Sequence, residues 1–133
     1  MLKLNLSTKL ILLAIFLLAA FLRLYGIDWD QGGHLHPDER AIVMAVVKLQ
    51  FPQNIAEFLS PTGPWNPQFF AYGSFPFYLL KLSGQLLSVF NPLYGQYDSI
   101  NIVGRFISAI SDLISIFIIF LISLKRFHQR AEH

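Results

Sequence analysis

Two apolar runs, each long enough to cross a lipid bilayer, leave this chain few ways to fold. The first is uncharged over residues 10–22 and extends past Arg23 through Leu24, Tyr25, Gly26 and Ile27. Its roughly 18 residues would make about 27 Å of helix, close to the thickness of a bilayer core. The second covers 106–124 and is equally sufficient. With 54% hydrophobic and 15% aromatic residues, and a mean hydropathy of +0.50, the 133-residue chain falls in the membrane class rather than the soluble one.

The charges flanking the runs set an expected orientation. Lys3 and Lys9 precede the first run, while Lys125, Arg126 and Arg130 follow the second. By the positive-inside rule both termini are cytoplasmic, and the segment between the runs lies outside. A cleavable signal peptide shares the pattern of lysines before an apolar core, but Arg23 and its bulky neighbours stand where small cleavage-site residues would be. The expected fold is an all-α, multi-pass protein of the plasma membrane. It has a cytoplasmic N-terminus over 1–9, a first span over 10–27, an extracytoplasmic loop over 28–105, a second span over 106–124 and a basic tail over 125–133.

Composition also excludes chemistry. Without cysteine there is no disulfide framework, thiolate nucleophile or cysteine zinc site. The net charge of +2 and the scattered basic residues give no nucleic-acid footprint.

Within the outer loop, Pro37, Asp38 and Glu39 read as a helix start, with proline in the first turn and carboxylates at the positive helix end. This helix is expected over 37–50, buried or interfacial because Ala41 to Val47 is apolar nearly all round. Prolines and Gly63 then punctuate an irregular segment. A second helix is expected over 75–90, its apolar positions Phe75, Leu79, Leu82, Leu86 and Phe90 recurring at steps of three and four. Its length suits the outer membrane surface, with a spanning placement as runner-up.

The densest polar cluster is His34-Leu35-His36-Pro37-Asp38-Glu39-Arg40, just past the first run. For Asp38 and Glu39 the plain explanation is helix-start electrostatics. The functional one is that carboxylates beside a membrane take a proton from an attacking hydroxyl or hold a divalent cation. His34 and His36 could supply two metal ligands only from an extended backbone. Asp112 lies inside the second run, where a charge costs about 2.5–3.5 kcal/mol, and Arg23 is the expected partner joining the two spans. Gly104, Ser108, Ser111 and Ser115 form a small-residue stripe suited to helix packing. Asn5-Leu6-Ser7 matches a glycosylation acceptor, but on the expected cytoplasmic side. The aromatic segment 65–73 reads as interfacial belt or packing, with a substrate wall as the alternative.

Four features in order carry a family resemblance: Arg23-Leu24-Tyr25-Gly26 closing the first span, His36-Pro37-Asp38-Glu39, the segment from Asn66-Pro67-Gln68 to Phe77-Tyr78-Leu79, and Gly104-Arg105-Phe106-Ile107-Ser108-Ala109. Together they resemble the N-terminal part of a GT-C membrane glycosyltransferase, of the group containing protein O-mannosyltransferases and aminoarabinose transferases. The resemblance implies transfer of a sugar from a polyprenyl-phosphate donor to an extracytoplasmic acceptor. It implies Asp38 as the acidic catalytic residue with Glu39 beside it. Arg40, Arg105 and His36 are then the side chains available to the phosphate, although neither arginine matches a phosphate ligand of the family. Metal dependence differs within that superfamily, so a divalent metal is left open.

Such enzymes have many spans, so the chain is expected to be a fragment or one part of a split enzyme, completed by further helices and inactive alone. Two other classes compete. One is a small non-catalytic membrane protein binding partner helices or subunits, and the other is a metal-binding loop built on His34 and His36.

Overall fold

The computed structural model describes residues 5–131, with side chains described through Arg126. The expectations that rest on Lys3 and on the Arg130 side chain lie outside what is described. Among the described residues the chain is helical, with no strand. It divides into two compact units: residues 1–27 with 106–133, and residues 28–105.

In the first unit, α1 (Leu6–Leu24) starts four residues before the expected span. Asn5 is the reason. Its side-chain oxygen accepts from the Thr8 amide at 2.8 Å, satisfying one of the orphan donors of the first turn. The asparagine of the apparent glycosylation acceptor is thus a helix cap. The helix closes at Leu24, short of Ile27, because Gly26 takes a left-handed φ of +65° that ends the helical run.

The partner of α1 is the apolar part of α5 (Tyr97–Ala131). Phe16 and Phe117 meet edge to face at 5.9 Å between ring centroids. Arg23 Nε donates to Asp112 Oδ2, and Arg23 Nη1 donates to the Ala19 carbonyl at 3.1 Å. Both helices are long and apolar enough to cross a membrane, with only 6% of each span's most apolar window buried by protein. A water-soluble helix pair would not leave so much contiguous apolar surface uncovered. Ser111 and Ser115 donate to the carbonyls of Ile107 and Ser111, so these hydroxyls are satisfied within their own helix.

The second unit is a small helical assembly. It comprises α2 (Pro37–Lys48), the single-turn α3 (Ile55–Leu59), α4 (Phe75–Leu87), a 3-10 turn (Pro92–Gly95) and the first turns of α5. Its core comes from three helices: Val43 and Val46 of α2 with Leu49 just after it, Phe77 and Leu80 of α4, and Ile100 and Val103 of α5. Burying a side chain such as Phe77 contributes about 1.5–3 kcal/mol. Packing is close at Gly84, where an added Cβ would lie 2.9 Å from the Tyr94 carbonyl and 3.0 Å from Ile100 Cδ1.

Two sequence expectations shift here, on α5 and on α2. The helix expected to open at residue 106 begins at Tyr97, because Ile100 and Val103 belong to the core and keep the chain helical where Asp98, Asn101 and Arg105 interrupt the apolar run. Helix α2 is buried along one face only, through Val43 and Val46, while Met44 stays exposed. On α4 the stripe of Phe75, Leu82 and Leu86 is exposed, and the opposite face, Phe77, Leu80 and Gly84, is the buried one.

The segment between α3 and α4 is stapled by its own side chains. Asn66 Nδ2 and Gln68 Nε2 both donate to the Pro61 carbonyl, at 2.8 and 2.6 Å. Trp65 stacks between Phe51 and Tyr78, each at 5.0 Å, and Phe69 packs edge-on against Phe77 at 5.9 Å. Trp65 and Phe69 therefore pack inside the unit.

Candidate functional site

The polar cluster is built from two pieces of backbone that meet on α5. The first is the turn after α1. It holds three residues with left-handed φ, Gln31 at 49°, Gly32 at 76° and His34 at 47°, and such values are costly for residues other than glycine. The turn is held at its ends: the Gly33 amide donates to the Asp30 carbonyl at 2.8 Å, and the Leu35 amide to Asp30 Oδ2 at 3.3 Å. The second piece is the start of α2, where Pro37 occupies the first turn and His36 is the cap. His36 Nδ1 accepts from the Glu39 amide at 3.4 Å, a role open only to an unprotonated ring nitrogen.

Arg105 ties the pieces together. Its Nε and Nη2 donate to the two oxygens of Glu39 at 2.7 and 2.6 Å. Its Nη1 and Nη2 donate to the two oxygens of Asp30 at 2.9 and 2.8 Å. The Trp29 ring lies 5.3 Å from the guanidinium carbon. Paired bidentate contacts of this kind exploit the planar fork of arginine and lock its orientation. The hydrogen bonds from Arg105 hold the Asp30 carboxyl well below its usual range, at about 2; burial opposes the shift and the Leu35 amide adds to it.

Asp38 is treated differently from its neighbours. It is exposed at the start of α2, on the helix end that favours negative charge. Of the described residues it approaches the Tyr72 phenol, which donates toward it. Hydrogen bonding to the Asp38 carboxylate raises the pKa of that phenol, and burial and the neighbouring negative charge act in the same direction. Asp30 and Glu39 are committed to Arg105, so Asp38 is the carboxylate of this cluster still open to solvent and to an incoming group.

The remaining expected residues separate. Arg40 is exposed and makes no ion pair among the described residues. Arg105 sits in a cluster of one positive and two negative charges, a poor setting for a phosphate. His34 is only 2% exposed, its ring 4.3 Å from that of Tyr97. Neither its ring nitrogens nor the amide atoms of buried Asn101 find a hydrogen-bond partner among the described residues. His36 caps α2. The described residues contain no group of three or more His, Asp or Glu side chains arranged to hold a metal ion.

Sequence reasoning missed Asp30, Trp29 and Tyr72. A glycine pair after Asp30 marks a turn that could bring its carboxylate back toward the chain, but nothing in the sequence pairs that turn with residue 105. Tyr72 is indistinguishable by pattern from the other aromatic residues of its segment.

Compared with protein-family models, curated proteins and solved structures, the chain matches none.

Proposed function

We propose that the chain is the N-terminal portion of an integral membrane glycosyltransferase that moves a sugar from a polyprenyl-phosphate donor to an extracytoplasmic acceptor. Asp38 is its acidic catalytic residue. The observation that carries this reading is the division of labour in the cluster: Arg105 consumes Asp30 and Glu39, while Asp38 is presented at a helix start with Tyr72 beside it. A hydroxyl acceptor must lose a proton as negative charge builds on the departing phosphate, and an accessible carboxylate supplies the base. Glu39 is then a positioning residue, holding the start of α2 through Arg105. The order of motifs along the chain, with a long apolar helix before the cluster in sequence and another after it, supports the same reading. Further helices, from the same or another polypeptide, complete the cavity for the lipid-linked sugar.

The second reading, a non-catalytic protein that binds partner helices, is favoured by the low burial of both spans and by the half-exposed Asp112 side chain. A transfer assay separates the two. Membranes carrying the protein together with its completing helices are given a radiolabelled polyprenyl-phosphate sugar, and product is compared between the native chain and Asp38→Asn. Loss of a general base predicts a fall of about 10²-fold or more at unchanged expression. Turnover within twofold of native would remove Asp38 from the chemistry.

A further inference from the structure

We infer that Trp29 and Asp38 form a saccharide subsite, in which the exposed indole seats one face of a neutral hexose ring whose hydroxyls reach the carboxylate. The inference deepens the proposed reaction by naming its acceptor as a carbohydrate. It rests on that reading only for calling the bound sugar the acceptor.

The chain has two tryptophans, and the fold treats them in opposite ways. Trp65 is half-buried, with Phe51 and Tyr78 stacked on it. Trp29 stays 58% exposed and forgoes the burial by which an indole ordinarily contributes to a core. The exposed ring is still held in place. The Arg105 guanidinium carbon lies 5.3 Å from its centroid, and that guanidinium is fixed by hydrogen bonds of 2.6–2.9 Å to both oxygens of Asp30 and of Glu39. Asp38, the exposed carboxylate, precedes Glu39 in the chain. One arginine thus anchors both the indole and the start of α2.

What fits such a surface follows from its chemistry. Residues 28–40 together with Arg105 hold four carboxylates, Asp28, Asp30, Asp38 and Glu39, against two guanidiniums, Arg40 and Arg105. That surplus disfavours a phosphate or an anionic headgroup. A carboxylate only accepts hydrogen bonds, so its ligand must bring donors. The electron-rich face of an indole attracts C–H groups that carry partial positive charge. A neutral pyranose supplies both from one rigid unit, C–H groups across a ring face and hydroxyls around its rim. A serine or threonine side chain brings the hydroxyl without the ring face, and an acyl chain brings C–H groups without a donor.

The test uses the full chain in nanodiscs of phosphatidylcholine, grown with 5-fluorotryptophan so that each indole has its own fluorine resonance; Trp29→Phe assigns them. Mannotriose or cellotriose is titrated in. The expected result is a saturable shift of the Trp29 resonance with that of Trp65 unmoved. In Asp38→Ala, which removes a hydrogen bond to a charged group, the half-saturating concentration should rise about tenfold. Trp65, between Phe51 and Tyr78, reports in every sample that the unit is folded. No saccharide-dependent shift at Trp29, with the Trp65 resonance at its native position, overturns the inference. A shift produced by the peptide acetyl-Ala-Thr-Ala-amide and by neither saccharide overturns it in favour of a polypeptide acceptor. A shift produced only by exchanging phosphatidylcholine for phosphatidylglycerol overturns it in favour of a membrane anchor. Unweakened binding in Asp38→Ala removes the carboxylate from the subsite and overturns the pairing. Sugar transfer by Asp38→Asn bears on the base alone, so a failure there and a failure here are read from separate measurements.

Discussion

Arg105 spends its guanidinium on two carboxylates at once, and this makes the turn after α1 and the start of α2 depend on a single side chain. The dependence has a pH signature. The folded Asp30 pKa of about 2 lies below its ordinary value of 3.8, so the ionised form is favoured by folding. The stabilisation is therefore fully present above pH 3.8 and is lost as pH falls toward 2. Trp29, stacked near Arg105, reports it. In a Trp65→Phe background, Trp29 emission should change across that interval, and Asp30→Asn should show the altered emission already at neutral pH. Unchanged emission in Asp30→Asn would mean that the pair does not hold the turn. At this scale the sequence was only partly legible. Asp38 and Glu39 stand out because a helix start advertises itself locally through proline and carboxylates. The Asp30 to Arg105 contact spans 75 residues and leaves no local trace. The sequence offers His34 as a metal ligand only from an extended backbone, whereas its backbone is left-handed and its ring lies against Tyr97.

The elements were more legible than their faces. Hydropathy located both long helices, but capping and packing set their ends: Asn5 and Gly26 define α1, and the core residues Ile100 and Val103 carry α5 back to Tyr97. On α4, periodicity found the apolar stripe that the sequence assigns to the membrane surface, but not the opposite face, Phe77, Leu80 and Gly84, which packs in the core. A three-and-four rhythm signals an apolar environment on one side, and lipid satisfies it as well as a core does. The pairing of α1 with α5 follows from arithmetic as much as from charge. Lys9 and Arg23 are 14 residues apart, and Asp112 and Lys125 are 13, so antiparallel helices bring like levels together at about 20 Å of rise. Arg23 meeting Asp112 is the result. Charge reversal at either residue should lower the yield of correctly inserted protein, because it leaves a charge without its counterpart in an apolar setting. Combining Arg23→Asp with Asp112→Arg should restore most of it. Failure of the double exchange to recover insertion would show that each charge answers to some other group.

On the scale of the whole molecule, the proposal requires sidedness. A base that activates an acceptor outside the cytoplasm has to stand outside, and the positively charged ends have to stand inside. In the sequence Asp38 follows one helix long enough to cross a membrane and precedes another, so one topology measurement bears on the whole scheme. Cysteine placed at Asp38 or at Lys125 of the otherwise cysteine-free chain is exposed, in sealed right-side-out vesicles, to a membrane-impermeant maleimide. Residue 38 should label at once and residue 125 only after the vesicles are opened. Labelling of residue 125 in sealed vesicles, with residue 38 protected until they are opened, would place the carboxylate on the wrong face for the proposed reaction.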